Sequence, residues 1–256
     1  MKKIYELIGN SRIGMHLIMP LNTIKKAVRP VLRSLRHNIA PMLVIQMAMA
    51  SLVLAFYFIP AVRMKLEAFA VFKQNTGVIF SFFSTGILSG IVADLLQRTL
   101  THAPAFPGAR WKYVTFNFLY WGIIGMVVDT FYMGLAVWIG EDVTFRTLLI
   151  KTLIDQLGYS TFFANPLNCT MLSWRDTGFS GSKLKRIMAD RYFEKKLIPT
   201  TIANWAFWFP VLFVLYALPT SLQLPFGNLA AVFYTILINN VVGHNEAENQ
   251  VVVKAE

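Results

Sequence analysis

The chain has 256 residues and a mass of 29.0 kDa, is 55% hydrophobic and only 14% charged, against the roughly 25% charged residues of an ordinary soluble domain. Lys and Arg number 24 against 13 Asp and Glu, giving a net charge of +11 and a pI near 9.8. Because the cations lie between long apolar runs, they point to a membrane and away from nucleic acid. The single cysteine, Cys169, excludes an intrachain disulfide framework and any zinc site built from several thiolates.

In chain order, residues 1–38 form a basic N-terminal segment, expected to lie at the interface, and residues 39–242 form a helical membrane bundle. A polar C-terminal tail, 243–256, follows. No removable signal peptide is expected, because the first apolar run starts only near residue 39 and no cleavage region follows it. Crossing hydrocarbon takes about 20 apolar residues. Six runs qualify: 41–59, 76–97, 113–139, 147–173, 204–222 and 226–242. The fold expected is therefore an all-α, multi-pass bundle of four to six transmembrane helices. The last two runs would be joined by a tight hairpin at Leu224-Pro225. Polar segments between the runs keep the mean hydropathy at only +0.52.

Counting Lys and Arg by loop puts 18 on one side of this six-span arrangement and 4 on the other. By the positive-inside rule the rich side is cytoplasmic, and both termini are expected there. Basic residues close to an anionic leaflet contribute about 1 kcal/mol each. The stretch 182–197, with Ser182 as an N-cap and Leu184, Ile187, Met188 and Tyr192 on one face, is expected to be an interfacial helix.

Ionisable residues inside spans are expensive and mark functional candidates. Asp129, Lys151 and Asp155 fall in the outer half of their runs, with Gln156, Asn165, Asn117 and Asn168 as uncharged companions. Lys151 and Asp155 share a helical face at i, i+4, and with Asp129 they could form one polar group. Such a group would either constrict a pore or be an ion-pair network that fixes helix packing. Asp94, near the inner end of its run, could instead reach Arg98 one turn on. Gly86 with Gly90, and Gly122 with Gly125 and Gly134, would allow close helix approach. Pro166 would kink the fourth run near Asn165. Trp205, Trp208 and Phe209 before Pro210, with Trp111 and Trp174 at predicted span ends, suit interfacial belts.

Several of these residues also fall into an ordered pattern. Ala93-Asp94 with Gln97, Gly125 followed by Asp129 and Phe131-Tyr132, Lys151 with Asp155-Gln156 and Pro166, Lys183-Leu184-Lys185 leading to Asn204-Trp205, then Phe209-Pro210 and Pro219 occur in this order. On that pattern the chain resembles the Mpv-seventeen/PMP-twenty-two family over about 84–240. It departs from the family in having Ala93 for Gly, Gln97 one residue early, an apolar stretch two residues shorter between the prolines, and Gln223 in place of Arg. The resemblance implies four spans with cytosolic termini, a mitochondrial inner or peroxisomal membrane, and passage of small solutes or metabolites. A bacterial inner membrane suits the unprocessed basic start equally.

The function expected is a non-enzymatic channel or facilitator for small hydrophilic solutes, with Asp129, Lys151, Asp155 and Asn165 lining its path. The alternative is a non-transporting structural or regulatory membrane protein in which those residues only specify packing. A lipid-modifying enzyme would have to rely on His102, Asp94 and Asp190, whose spacing supports no catalytic site. No cofactor and no metal are expected. The expected partners are the bilayer, anionic headgroups at the basic loops, small solutes and a second copy of the chain.

Overall fold

The computed structural model describes residue 36 and residues 39–101 and 109–234. The rest of the basic N-terminal segment, residues 102–108 with His102, the C-terminal tail and the end of the 226–242 run lie outside the described residues. The chain is an all-α membrane protein, with eight helices and no strand among the described residues.

Helix α1, Ile39–Phe58, is followed by α2, Pro60–Thr76. The residue before a proline is driven toward extended backbone, and Ile59 adopts φ −114°, ψ 100°. The two helices consequently meet at 100°. Helix α2 occupies a stretch that the apolar runs leave as a loop. Its charges lie among apolar residues, with Arg63 Nε donating to Glu67 one turn on at 2.7 Å, while Phe69 and Phe72 pack against Phe80. Gly77, at φ +59°, reverses the chain into the next helix, a backbone conformation that disfavours side chains.

Helix α3, residues 78–101, is α-helical over Val78–Thr85, π-helical over Gly86–Val92 and α-helical again over Ala93–Thr101. Helix α4 is Arg110–Ile139. Helix α5, residues 145–176, likewise contains a π-helical segment, Ile154–Ala164, between Phe145–Leu153 and Asn165–Asp176. Thr144 caps its start, its hydroxyl accepting from the Thr147 N–H at 3.2 Å. Pro166 sits in the first turn of the segment after the π-helix, where a missing N–H is best tolerated. Helix α6 is Gly181–Ala189. Its cap is Ser180, not Ser182, and accepts from the Lys183 N–H at 3.4 Å. The helix stops at Asp190, and Arg191 turns at φ +51°, so the expected continuous helix over 182–197 is two pieces. Helix α7 is Phe193–Leu215, and α8 runs from 220 through 234.

The break between the last two helices is a correction. It falls at 216–219, ahead of Pro219, not at Leu224-Pro225. Tyr216, Ala217 and Leu218 are as apolar as their neighbours, so hydropathy does not register the stop, whereas Pro219 disfavours helix at the residue before it. Among the described residues, Val78–Leu96, Arg110–Ile139 and Phe193–Leu215 are long and apolar enough to cross a membrane. The bent α1–α2 pair makes a fourth span if counted as one. Outward-facing apolar side chains such as Val137 and Phe162, 89% and 81% exposed, suit contact with lipid.

The core joins α1 to α7 and α8 through Met49, Val53, Phe56, Phe207, Leu212 and Leu222. Against this, α3 and α4 meet almost backbone to backbone. A methyl group at Gly90 would stand 2.7 Å from the Asn117 carbonyl oxygen, and one at Gly86 2.8 Å from that of Phe118. On the facing helix, Gly122 leaves room for the Phe82 ring (2.7 Å) and Gly125 for the Ser81 carbonyl (2.6 Å). Gly134 faces open space. Gly90→Val is therefore expected to destabilise the protein by about 1–3 kcal/mol through overpacking. Gly134→Ala should be neutral or up to about 1 kcal/mol stabilising. Unfolding in detergent micelles compares the two, and equal damage from both would refute the close approach.

Candidate functional site

Asp129 lies in the middle of α4, 1% exposed. Its Oδ1 accepts from Lys73 Nζ of α2 at 2.5 Å, and its Oδ2 accepts from the Ser81 hydroxyl of α3 at 2.6 Å. Lys73 is itself 4% exposed. Removing two opposite charges from water together is far cheaper than burying either alone. This pair ties three helices at one point, and its members stand 56 residues apart in sequence.

Asp155, on α5, has different partners. Its Oδ2 accepts from the Tyr216 hydroxyl at 2.7 Å, and its Oδ1 from Ser160 Oγ at 3.0 Å and Gln156 Nε2 at 3.1 Å. Gln156 Oε1 accepts from Asn204 Nδ2 of α7 at 2.9 Å. Trp205 Nε1, also on α7, donates to the Gln156 carbonyl at 3.2 Å and to Thr161 Oγ1 at 3.1 Å. The π-helix explains this set. Its widened turns make i and i+5 neighbours, which brings Ser160 to Asp155 and lets the Thr161 hydroxyl donate to the Gln156 carbonyl at 2.6 Å.

Lys151 lies in the α-helical turn just before the π-helix and makes no ion pair with Asp155. Lys151 is 2% exposed. No hydrogen bond or ion pair joins its ammonium to another described residue, and it lies 5.9 Å above the centre of the Tyr216 ring, within cation–π range. The pairing that the i, i+4 spacing suggested is thus replaced by a bridge through Tyr216, which takes the cation on its face and gives its hydroxyl to the carboxylate. Asp129 does not join this group directly. Tyr132, one turn beyond it on α4, packs edge-on against Tyr216 at 5.4 Å. Nearby, Phe131 stacks on Tyr159 at 4.4 Å, and the buried Tyr159 hydroxyl has no hydrogen-bond partner among the described residues.

The other candidates lie elsewhere. Asn165 Nδ2 donates to Thr201 Oγ1 of α7 at 3.4 Å, and Asn168 Oδ1 accepts from the Tyr120 hydroxyl at 2.5 Å. Asp94 accepts from Arg98 Nε at 2.9 Å and lies 3.9 Å from Arg175, whose Nη1 donates to Asn117 Oδ1 at 2.9 Å. Gln223 is 1% exposed and donates to the Leu218 carbonyl at 2.9 Å. Asn228 of α8 exchanges hydrogen bonds with Thr85 of α3 at 2.9 and 3.1 Å. Among the described residues no group of three or more His, Cys, Asp or Glu side chains could hold a metal ion.

Sequence reasoning passes over Ser81, Ser160 and Tyr216 and gives Lys73 no site role, and it places Asn204 and Trp205 only in the family-like pattern, with Trp205 also as a belt residue. Lys73 was counted as a topological loop cation. The one signal for the α7 residues was the order Asn204-Trp205 within the family-like pattern.

A family model described as the Mpv17 / PMP22 family matches residues 181–239. No curated protein and no solved structure matches the chain. The matched stretch contributes Asn204, Trp205 and Tyr216 to the buried network around Asp155.

The ion pair should behave as a unit. Lys73→Met alone strands a buried carboxylate and is expected to destabilise the protein by about 3–5 kcal/mol. Combined with Asp129→Asn it should cost clearly less than the two single changes added together. A double-mutant cycle read by unfolding in detergent checks this, and strictly additive losses would rule out the coupling.

Proposed function

The Mpv17 / PMP22 match supports assigning the chain to that family, and from that premise we propose that this integral membrane protein is a non-enzymatic passage for small hydrophilic solutes. The constriction is formed by Lys151, Asp155 and Gln156 of α5 with Tyr216 and Asn204. The observation that carries the reading is Lys151, an ammonium 2% exposed with no ion-pair partner among the described residues. A buried ammonium without a close ion-pair partner is costly, and within a membrane bundle such a residue is a candidate for a solute or ion path. The Tyr159 hydroxyl, without a hydrogen-bond partner among the described residues, supports water in the same region, because buried polar atoms are ordinarily satisfied by protein or by water.

In this conformation the carboxylate is saturated by Tyr216, Ser160 and Gln156. A passing solute must therefore exchange with those hydrogen bonds, a closed or low-throughput arrangement. The cation distribution supports both termini on the cytoplasmic side and contact of the basic loops with anionic headgroups.

A second reading is favoured by Asp129, whose carboxylate is fully engaged by Lys73 and Ser81. Here the buried polar residues only fix helix registry, and the protein is a non-transporting structural element. The two readings separate in proteoliposomes containing the purified full chain. A passage predicts measurable conductance. Lys151→Met should raise cation over anion permeability, and Asp155→Asn should lower it, since each removes one sign of charge from the constriction. Folded variants that conduct like the parent would overturn the site. A parent with neither conductance nor solute flux would overturn the function and leave the structural reading.

A further inference from the structure

A groove of about 380 Å3 opens between α1 and α7, within the size range of small-molecule sites. Arg36, Ile39, Leu43 and Gln46 lie on its α1 side, and Ala206 and Pro210 on its α7 side. The two helices run in the same direction, because the Tyr57 hydroxyl near the end of α1 donates to the Ala217 carbonyl just past the end of α7 at 2.5 Å. Arg36 lines the groove together with Ala206 and Pro210 of α7.

The groove is polarised along its length. At its mouth Arg36 is exposed, and no carboxylate among the described residues pairs with it. Ile39 and Leu43, 55% and 49% exposed, then form an apolar wall. Farther along, Pro210 has no N–H to give the Ala206 carbonyl four residues earlier, and Gln46 lies about 10 Å beyond Ile39 along α1.

We propose that this groove binds an anionic glycerophospholipid, with the phosphate on Arg36 and one acyl chain laid along Ile39, Leu43, Ala206 and Pro210. A guanidinium presents a planar fork that matches phosphate oxygens. The apolar wall below it takes a chain but no polar solute, and Gln46 with the Ala206 carbonyl sets a polar limit to the chain's depth. The positive charge of Arg36, which no carboxylate among the described residues neutralises, favours an anionic headgroup over one carrying its own ammonium. This site lies apart from the Asp155 network and does not depend on whether the bundle conducts.

The test is native mass spectrometry of the purified full chain in mild detergent, titrated with phosphatidylglycerol and, separately, with phosphatidylcholine of the same acyl chains. The parent should prefer phosphatidylglycerol about fivefold, the equivalent of about 1 kcal/mol for one basic residue at an anionic surface. Arg36→Gln should abolish the preference while leaving phosphatidylcholine binding unchanged. Leu43→Trp, at an exposed position where folding is not at stake, should weaken both lipids by filling the groove. Lys185→Gln on exposed α6 should change neither. Equal affinity of the parent for the two lipids would overturn the proposal, as would an Arg36→Gln effect no larger than that of Lys185→Gln. Undiminished binding of both lipids to Leu43→Trp would place the acyl chain elsewhere and overturn it as well.

Discussion

Hydrocarbon offers a buried polar group no water, so every such group must be satisfied within the bundle. That constraint organises this molecule more than its apolar packing does. The Lys73–Asp129 pair with Ser81 holds α2, α3 and α4 in one register, and Asn228 with Thr85 ties α8 to α3. The set around Asp155 joins α5 to α7 and to the turn that follows it. Apolar residues could slide past one another in lipid at little cost, since a lipid tail is as good a neighbour as a leucine. Charged and amide side chains cannot, because a slip of one residue breaks their hydrogen bonds.

The π-helix within α5 is the local device that makes the Asp155 set possible. With i and i+5 brought together, Asp155 finds Ser160, and Gln156 is free to meet Asn204 and Trp205 across the helix interface. Lys151 is then left to the face of Tyr216. Tyr216 thus joins a carboxylate that accepts three hydrogen bonds to a buried cation with no ion pair among the described residues, which is why the proposed passage is placed at their junction.

Much of the architecture was legible in the sequence for a simple physical reason: lipid exposure writes itself as hydropathy. The run expected at 41–59 is the helix Ile39–Phe58, and 113–139 lies within Arg110–Ile139. The glycines whose added methyl groups would clash were visible as a spacing. Other features were not legible because they are not local. Lys73 looks like any loop cation until a carboxylate 56 residues away is brought to it. Tyr216 sits in an apolar stretch, where nothing in composition reveals a hydroxyl aimed at Asp155. The i, i+4 spacing of Lys151 and Asp155 does not reveal that the carboxylate is taken by Tyr216, Ser160 and Gln156.

The central claim is that Lys151 lies on an aqueous path whereas the Asp129 pair is sealed in protein. Cysteine accessibility tests this most directly. In a Cys169→Ser background, Lys151→Cys and the near-isosteric Ser81→Cys are reconstituted in lipid vesicles and treated with a small, water-soluble thiol reagent. The account predicts modification at position 151 and protection at position 81. Protection at both positions, or faster reaction at 81, would contradict it.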